Sequence, residues 1–211
     1  MTPDGLRDRQ ISLPVTSSTK AFDGMVWDVR RDDVELSPGT TVTREVLVHT
    51  GAVGILAMDD QERVLLVRQY RHPVRSYLWE PPAGLLDQAD EHPLDAAKRE
   101  LAEEADLRAR TWHVLVDFYN SPGGSTEAFR CYLARDLSEV PAGERHDREH
   151  EERDMQVAWL SLDEALAGIA EGRFHNPTTV TGVLAAAAAR AAGWSTLRPA
   201  DASWPERSPG R

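Results

Sequence analysis

Glu100, Glu103 and Glu104 place three carboxylates within five residues, directly behind Arg99. On a helix advancing about 100° per residue they share an arc of about 100°, beside a separate apolar stripe of Leu94, Ala97, Leu101 and Ala105. Like charges at helical spacing repel by roughly a few tenths of a kcal/mol per pair, so the cluster calls for a cation among them. Carboxylate oxygens are hard ligands that suit Mg²⁺ or Mn²⁺. A plainer reading stays open on spacing alone: Arg99 and Glu103 are also an ordinary i,i+4 ion pair on a solvated face.

Such a helix needs something to aim it. Upstream, Trp79-Glu80-Pro81-Pro82-Ala83 contains two prolines and reads as a strand running into a tight loop at Gly84. Pro93 falls where a first helical turn would place it, with Asp90 or His92 as the cap. Strand, glycine loop and acidic helix follow in order.

Further along the chain, two alternating segments, Met25 to Leu36 and Val42 to Val48, flank Ser37-Pro38-Gly39-Thr40 and predict a hairpin. Ala52 to Met58 and Arg63 to Tyr70 read as a second hairpin around Asp59-Asp60-Gln61-Glu62. Trp112 to Phe118, Ala128 to Ala134 and Met155 to Leu160 read as strands. Leu162 to Glu171 and Thr178 to Ala192 read as helices, the second opened by Asn176 as cap and Pro177 at its first position. This order predicts an α+β sandwich with a mixed central sheet covered by helices. The expected divisions are a mobile tail over residues 1–20, a hairpin region over 21–50, a main domain over 51–197 and a C-terminal tail over 198–211.

Composition sets outer bounds. The 211 residues are 41% hydrophobic and 28% charged, as in an ordinary soluble protein. A net charge of -11 argues against a general nucleic-acid or anionic-membrane binder, which uses basic surfaces. Cys131 has no second cysteine to pair with, which fits a reducing cytoplasm. The N-terminus MTPDGLRDRQ lacks an apolar signal core, and the apolar run Gly182 to Ala189 is too short to span a bilayer.

The segment from Gly84 to Leu107 resembles the Nudix box: a Gly, five residues, a Glu, seven residues, then Arg-Glu-hydrophobic-x-Glu-Glu-x-Gly-hydrophobic. Glu91, seven intervening residues and Arg99-Glu100-Leu101-Ala102-Glu103-Glu104-Ala105-Asp106-Leu107 follow the pattern. Two positions depart: six residues separate Gly84 from Glu91, and Asp106 stands in place of the last Gly. Loops tolerate insertion, and Asp is among the few residues that accept left-handed geometry, so the turn is expected to survive. The resemblance implies a Nudix-type α/β/α sandwich with an N-terminal antiparallel β extension. It implies Glu100 and Glu104 as principal metal ligands, Glu103 toward a second or third ion, and the Ala83 carbonyl completing the coordination. Arg99 would orient the carboxylates and Glu91 would support them.

Other matches resemble the ADP-ribose pyrophosphatase branch of that family. These are Pro122 sixteen residues after Asp106, Gln69-Tyr70-Arg71 at a strand end, Leu78-Trp79-Glu80 with Pro82-Ala83-Gly84, and the hairpin before Gly51. Arg71 is the candidate diphosphate contact, because a guanidinium pairs bidentately with phosphate oxygens. Glu80, Gly84 and Leu85 join it as expected substrate contacts. The resemblance puts adenine-binding residues in the N-terminal hairpin, where Trp27 and Arg44 lie, often across a dimer; Trp27 reads equally as an ordinary buried aromatic. A catalytic base is implied on a mobile acidic loop, here Ala142 to Asp154, with Glu152 first and Glu151 second. The expected activity is Mg²⁺-dependent hydrolysis of ADP-ribose to AMP and ribose 5-phosphate by a cytoplasmic homodimer. Hydrolysis of another nucleoside diphosphate sugar or a dinucleotide, and a non-catalytic ADP-ribose-binding regulator, remain as alternatives.

Overall fold

The computed structural model describes residues 5–146 and 155–207, and the chain forms two compact units. The first contains β1 (Val15–Phe22), β2 (Asp28–Ser37) and β3 (Thr40–Val48), an antiparallel sheet in the order β1-β2-β3. The predicted hairpin is β2–β3, turned at Gly39, whose φ of 79° is a conformation that glycine adopts without steric cost. The segment Ser121–Glu127 belongs to the same unit. Its Gly124 carbonyl accepts from Leu47 N–H (2.8 Å), and Thr126 N–H returns to the Leu47 carbonyl (3.0 Å). The tail expected over residues 1–20 gives way at Val15 to a strand, because β2 offers an edge on which the polar segment pairs. Every residue of β1 is exposed.

The second unit spans Gly51–Asn120 and Ala128–Ser203. Its strands are β4 (Ala52–Ala57), β5 (Arg63–Arg71), β6 (Ser76–Glu80), β7 (Ala83–Leu85), β8 (Leu107–Tyr119), β9 (Ala128–Glu139), β10 (Gln156–Ser161) and β11 (Arg198–Pro199). They form a five-stranded mixed sheet, β11-β8-β9-β4-β7, and a three-stranded antiparallel sheet, β10-β5-β6. The helices are α1 (Pro93–Ala105), α2 (Leu162–Ala170) and α3 (Pro177–Ala191). Leu56, Met58, Val64, Cys131, Leu133, Leu162, Ala165, Val183 and Ala186 form a continuous core between these elements. The α+β sandwich with a mixed sheet and an N-terminal antiparallel extension is therefore present. None of the described helices is long and apolar enough to cross a membrane.

The second predicted hairpin is not a ladder. β4 and β5 meet at one bridge, Met58 to Val64, and then part into different sheets. A strand has two hydrogen-bonding edges, and those of β4 are taken by β7 and parallel β9, those of β5 by β6 and β10. Asp59 makes the sharp turn between them by accepting from Gln61 N–H (2.9 Å) and Arg63 N–H (2.8 Å). β8 and β9 also run beyond their predicted limits, over polar residues that pair outside the core, such as Arg108 with Ser138. The expected C-terminal tail begins as β11, whose Arg198 Nη2 donates to Asp117 (2.8 Å).

Candidate active site

The acidic helix is aimed from both ends. Of the two candidate caps it is His92 that closes the start of α1, its Nδ1 accepting from Leu94 N–H at 3.2 Å, with Pro93 in the first turn. Asp90 instead takes a left-handed turn at φ 65°. At the far end Asp106 adopts φ 53° and its N–H returns to the Leu101 carbonyl. The substitution of Asp for Gly thus keeps the helix stop, and β8 begins at the next residue.

Arg99 organises the carboxylates. Its Nε and Nη2 donate to the two oxygens of Glu91 (3.0 and 3.1 Å), while Nη1 donates to Glu100 (2.6 Å) and Glu103 (3.1 Å). The Glu91 hydrogen bonds, opposed by desolvation and joined by the charge of Glu100, raise the guanidinium above its ordinary pKa. Arg99 is therefore a permanent cation among three acids. Glu104 is buried with Ala96, Ala97 and Leu101, and only 7% of it is exposed. Its Oε2 accepts from Ala83 N–H at 3.0 Å.

β7 brings Ala83, Gly84 and Leu85 against this helix by pairing them with Gly54, Val53 and Ala52 of β4. At Gly84 the approach is close: a Cβ there would lie 2.0 Å from Glu100 Oε1 and 2.1 Å from its Cδ. Ala83 meets the helix through its N–H, which Glu104 accepts. Leu85 is half-buried in the same strand. Among the described residues, no three His, Cys, Asp or Glu side chains stand grouped as a ready metal site. Arg99 and the Ala83 amide engage these carboxylates and offset only part of their charge. The donor set still suits a hard cation, being all carboxylate and backbone oxygen on one helix and its facing strand, with the absent Gly84 side chain leaving room at Glu100.

Arg71 ends β5 with its side chain 42% exposed, and it reaches Glu80 at the end of β6. Nε donates to Oε2 at 3.3 Å; Nη2 comes within 2.6 Å of Oε1 without hydrogen-bond alignment, so that contact is an ion pair. Glu80 is 2% exposed. Burial pushes its carboxyl above the ordinary range, against the pull of Arg71. Asn176, the cap of α3, donates its Nδ2 to the same carboxylate. Sequence reading found Asn176 only as a cap, and nothing local marks its second partner 96 residues away.

The remaining candidates are Trp27 and Arg44, in the N-terminal unit, and the acidic residues after β9. Trp27, in the N-terminal unit, is 43% exposed and stacks on His49 with ring centroids 6.1 Å apart, so it is not a buried aromatic. Arg44 is exposed on β3, where its Nη1 donates to the Thr43 carbonyl (3.1 Å). Glu151 and Glu152 lie outside the described residues. Glu144, at the start of the same acidic segment, pairs with Arg108 (2.7 Å).

The chain is similar to known proteins. The NUDIX domain family model matches residues 48–178. The chain is 46% identical over 191 residues to an ADP-ribose pyrophosphatase of Mycobacterium tuberculosis, covering 90% of each protein. It is 36% identical over 162 residues to a methanol dehydrogenase activator of Bacillus methanolicus, covering 77% of this chain and 85% of that one. A crystal structure of an ADP compounds hydrolase superposes with a TM-score of 0.72 at 19% identity, covering 89% of this chain and 99% of the other, a likeness of fold. The Gly84 strand, the capped acidic helix and the Arg99-centred carboxylates all fall within the matched domain, and the chain belongs to the Nudix family.

Proposed function

We propose that the protein hydrolyses the diphosphate of ADP-ribose to AMP and ribose 5-phosphate, using Mg²⁺ or Mn²⁺. The observation that carries the reading is the close approach of Glu100 to Gly84, with Glu104 seated on Ala83, which gathers hard oxygen donors at one strand–helix junction. Similarity to the mycobacterial ADP-ribose pyrophosphatase over nearly the whole chain supports the choice of substrate. Glu100, Glu103 and Glu104, with the Ala83 carbonyl, would hold the cation, which supplies neutralisation of the diphosphate oxygens and polarisation of an attacking water.

The chain's own residues do the positioning. Arg99 restrains Glu91, Glu100 and Glu103 in one array, so their orientation is set before substrate arrives. Arg71 presents a guanidinium fork to the diphosphate, as phosphate recognition requires. Gly84 and Leu85 would line the approach to the scissile bond, and Trp27 and Arg44 are proposed as adenine contacts. Glu152, or Glu151 beside it, would take the proton of the attacking water. Water attack at one phosphorus breaks its bond to the bridging oxygen, leaving AMP and ribose 5-phosphate.

A homodimer is part of the reading. Phe22 and Leu36 on the strands of the N-terminal unit, with Met25, Val26 and Trp27 in the β1–β2 connection, are exposed apolar side chains, and a soluble monomer rarely leaves so many close together in sequence. A cytoplasmic setting accords with a lone buried thiol. The decisive assay incubates pure protein with ADP-ribose and Mg²⁺ and resolves the products by chromatography. AMP with ribose 5-phosphate is the expected pair; consumption of a different nucleoside diphosphate sugar without AMP from ADP-ribose would move the substrate assignment. Light scattering at twice the monomer mass would accompany it.

A further inference from the structure

Four of the buried polar residues, Glu80, Asn176, Thr178 and Thr179, meet at one place, where β6 ends and α3 begins. Burying a carboxylate costs on the order of several kcal/mol unless partners satisfy it. Here the partners come from two directions. Asn176 caps α3 through Oδ1, which accepts from Thr178 N–H (2.9 Å) and Thr179 N–H (3.2 Å), and spends its Nδ2 on Glu80. Thr179 Oγ1 donates to the Trp79 carbonyl (2.7 Å), fastening the first turn of the helix to β6. From the other side comes Arg71, whose Nε–Nη2 edge faces the carboxylate.

We propose that Glu80 and Asn176 are positioning residues, which hold the Arg71 guanidinium with its Nη1–Nη2 edge turned outward to receive the substrate diphosphate. The proposal rests on the reading of Arg71 as a diphosphate contact. It replaces the direct substrate contact expected of Glu80, since a side chain 3% exposed and covered by Arg71 and Asn176 has no face left for substrate. The physical logic is that an arginine at a strand end has several rotatable bonds to immobilise. A rigid anion behind it removes that freedom before binding. The anion must itself be rigid, which the helix cap and the Thr179 contact ensure.

The test is a double-mutant cycle on steady-state kinetics with ADP-ribose and Mg²⁺. E80Q keeps the shape and removes the charge; N176S keeps a capping oxygen and removes the Nδ2 donor. Each is expected to raise KM by about tenfold while kcat changes by less than about threefold, the pattern of lost binding common to ground and transition states. In an R71A background the same substitutions should add less than about twofold, because their effect passes through the arginine. E80D, which restores the charge, should recover part of the loss. Thermal unfolding of E80Q and N176S separates a folding defect from a kinetic one. An unchanged KM in E80Q, or the same factor with and without Arg71, would overturn the proposal. Failure of the wild type to release AMP would sink only the substrate assignment, and the cycle would then be read with whichever nucleoside diphosphate sugar it cleaves.

Discussion

Gly84 and Glu100 occupy each other's space: a single added carbon on the strand would sit 2.0 Å from the carboxylate of the helix. All the nearest atoms belong to the Glu100 side chain, which is flexible, so substitution displaces the carboxylate and spares the backbone. Gly84→Ala is expected to fold with a Tm within a few degrees of wild type. Its turnover should fall by roughly a hundredfold, the cost of an ångström-scale misplacement at a reacting centre. Circular dichroism and initial rates on one preparation check both halves; full activity would show that Glu100 has no fixed post.

Glu104 is buried and accepts from the Ala83 backbone N–H. Glu104→Gln retains an oxygen for the Ala83 amide and removes the negative charge. The fold should survive, while kcat drops by about three orders of magnitude, as expected when a charge needed to hold the catalytic cation is lost. Near-normal turnover would refute the ligand role.

Asp117 and Arg130 form a buried ion pair in the second unit. Arg130 is 2% exposed, donates to both oxygens of Asp117 (2.7 and 2.9 Å), and reaches the carbonyls of Ala202 (2.8 Å) and Ser203 (3.2 Å). Removing one partner strands a charge in the interior. Asp117→Ala is expected to lower unfolding free energy by about 3 kcal/mol, read from urea midpoints. Arg198, which shares Asp117, should lose its anchor, and amide exchange at the end of β11 should accelerate.

Cys131 lies wholly buried, and desolvation pushes its thiol up to about 12. Between pH 9 and 12 an unfolded chain would ionise this group while the native one stays neutral. Its stabilising contribution is therefore complete below pH 9 and declines as pH rises, by at most about 1.4 kcal/mol per unit. Urea midpoints at pH 8 and pH 10.5 should fall further in wild type than in Cys131→Ala. The native thiol should also ignore a disulfide-exchange reagent at pH 8 and react on unfolding; rapid native labelling would contradict its burial.

Short-range rules made much of this protein legible before folding was considered. Asn176-Pro177 announces α3, Ser37-Pro38-Gly39 announces the β2–β3 turn, and the Arg99–Glu104 spacing announces a charged helix face. Each depends on residues within about four positions, the reach of caps, turns and helical periodicity. Asp106 could be judged able to stop α1 for the same reason, and it does so at φ 53°.

Pairings between distant residues were decided by tertiary structure. Nothing in the apolar runs of β4 and β5 reveals that they part into separate sheets, because an unbroken hydrophobic strand fits any buried edge and the partners that claim it come from elsewhere. Periodicity put Glu104 on one side of the helix with Glu100 and Glu103, and the meeting with β7 is what seats it on Ala83. Glu80 and Asn176 stand 96 residues apart, and only the docking of α3 on β6 makes one the partner of the other. Local sequence sets what each side chain can offer. Burial, competition for strand edges and the satisfaction of buried polar groups determine which offers meet.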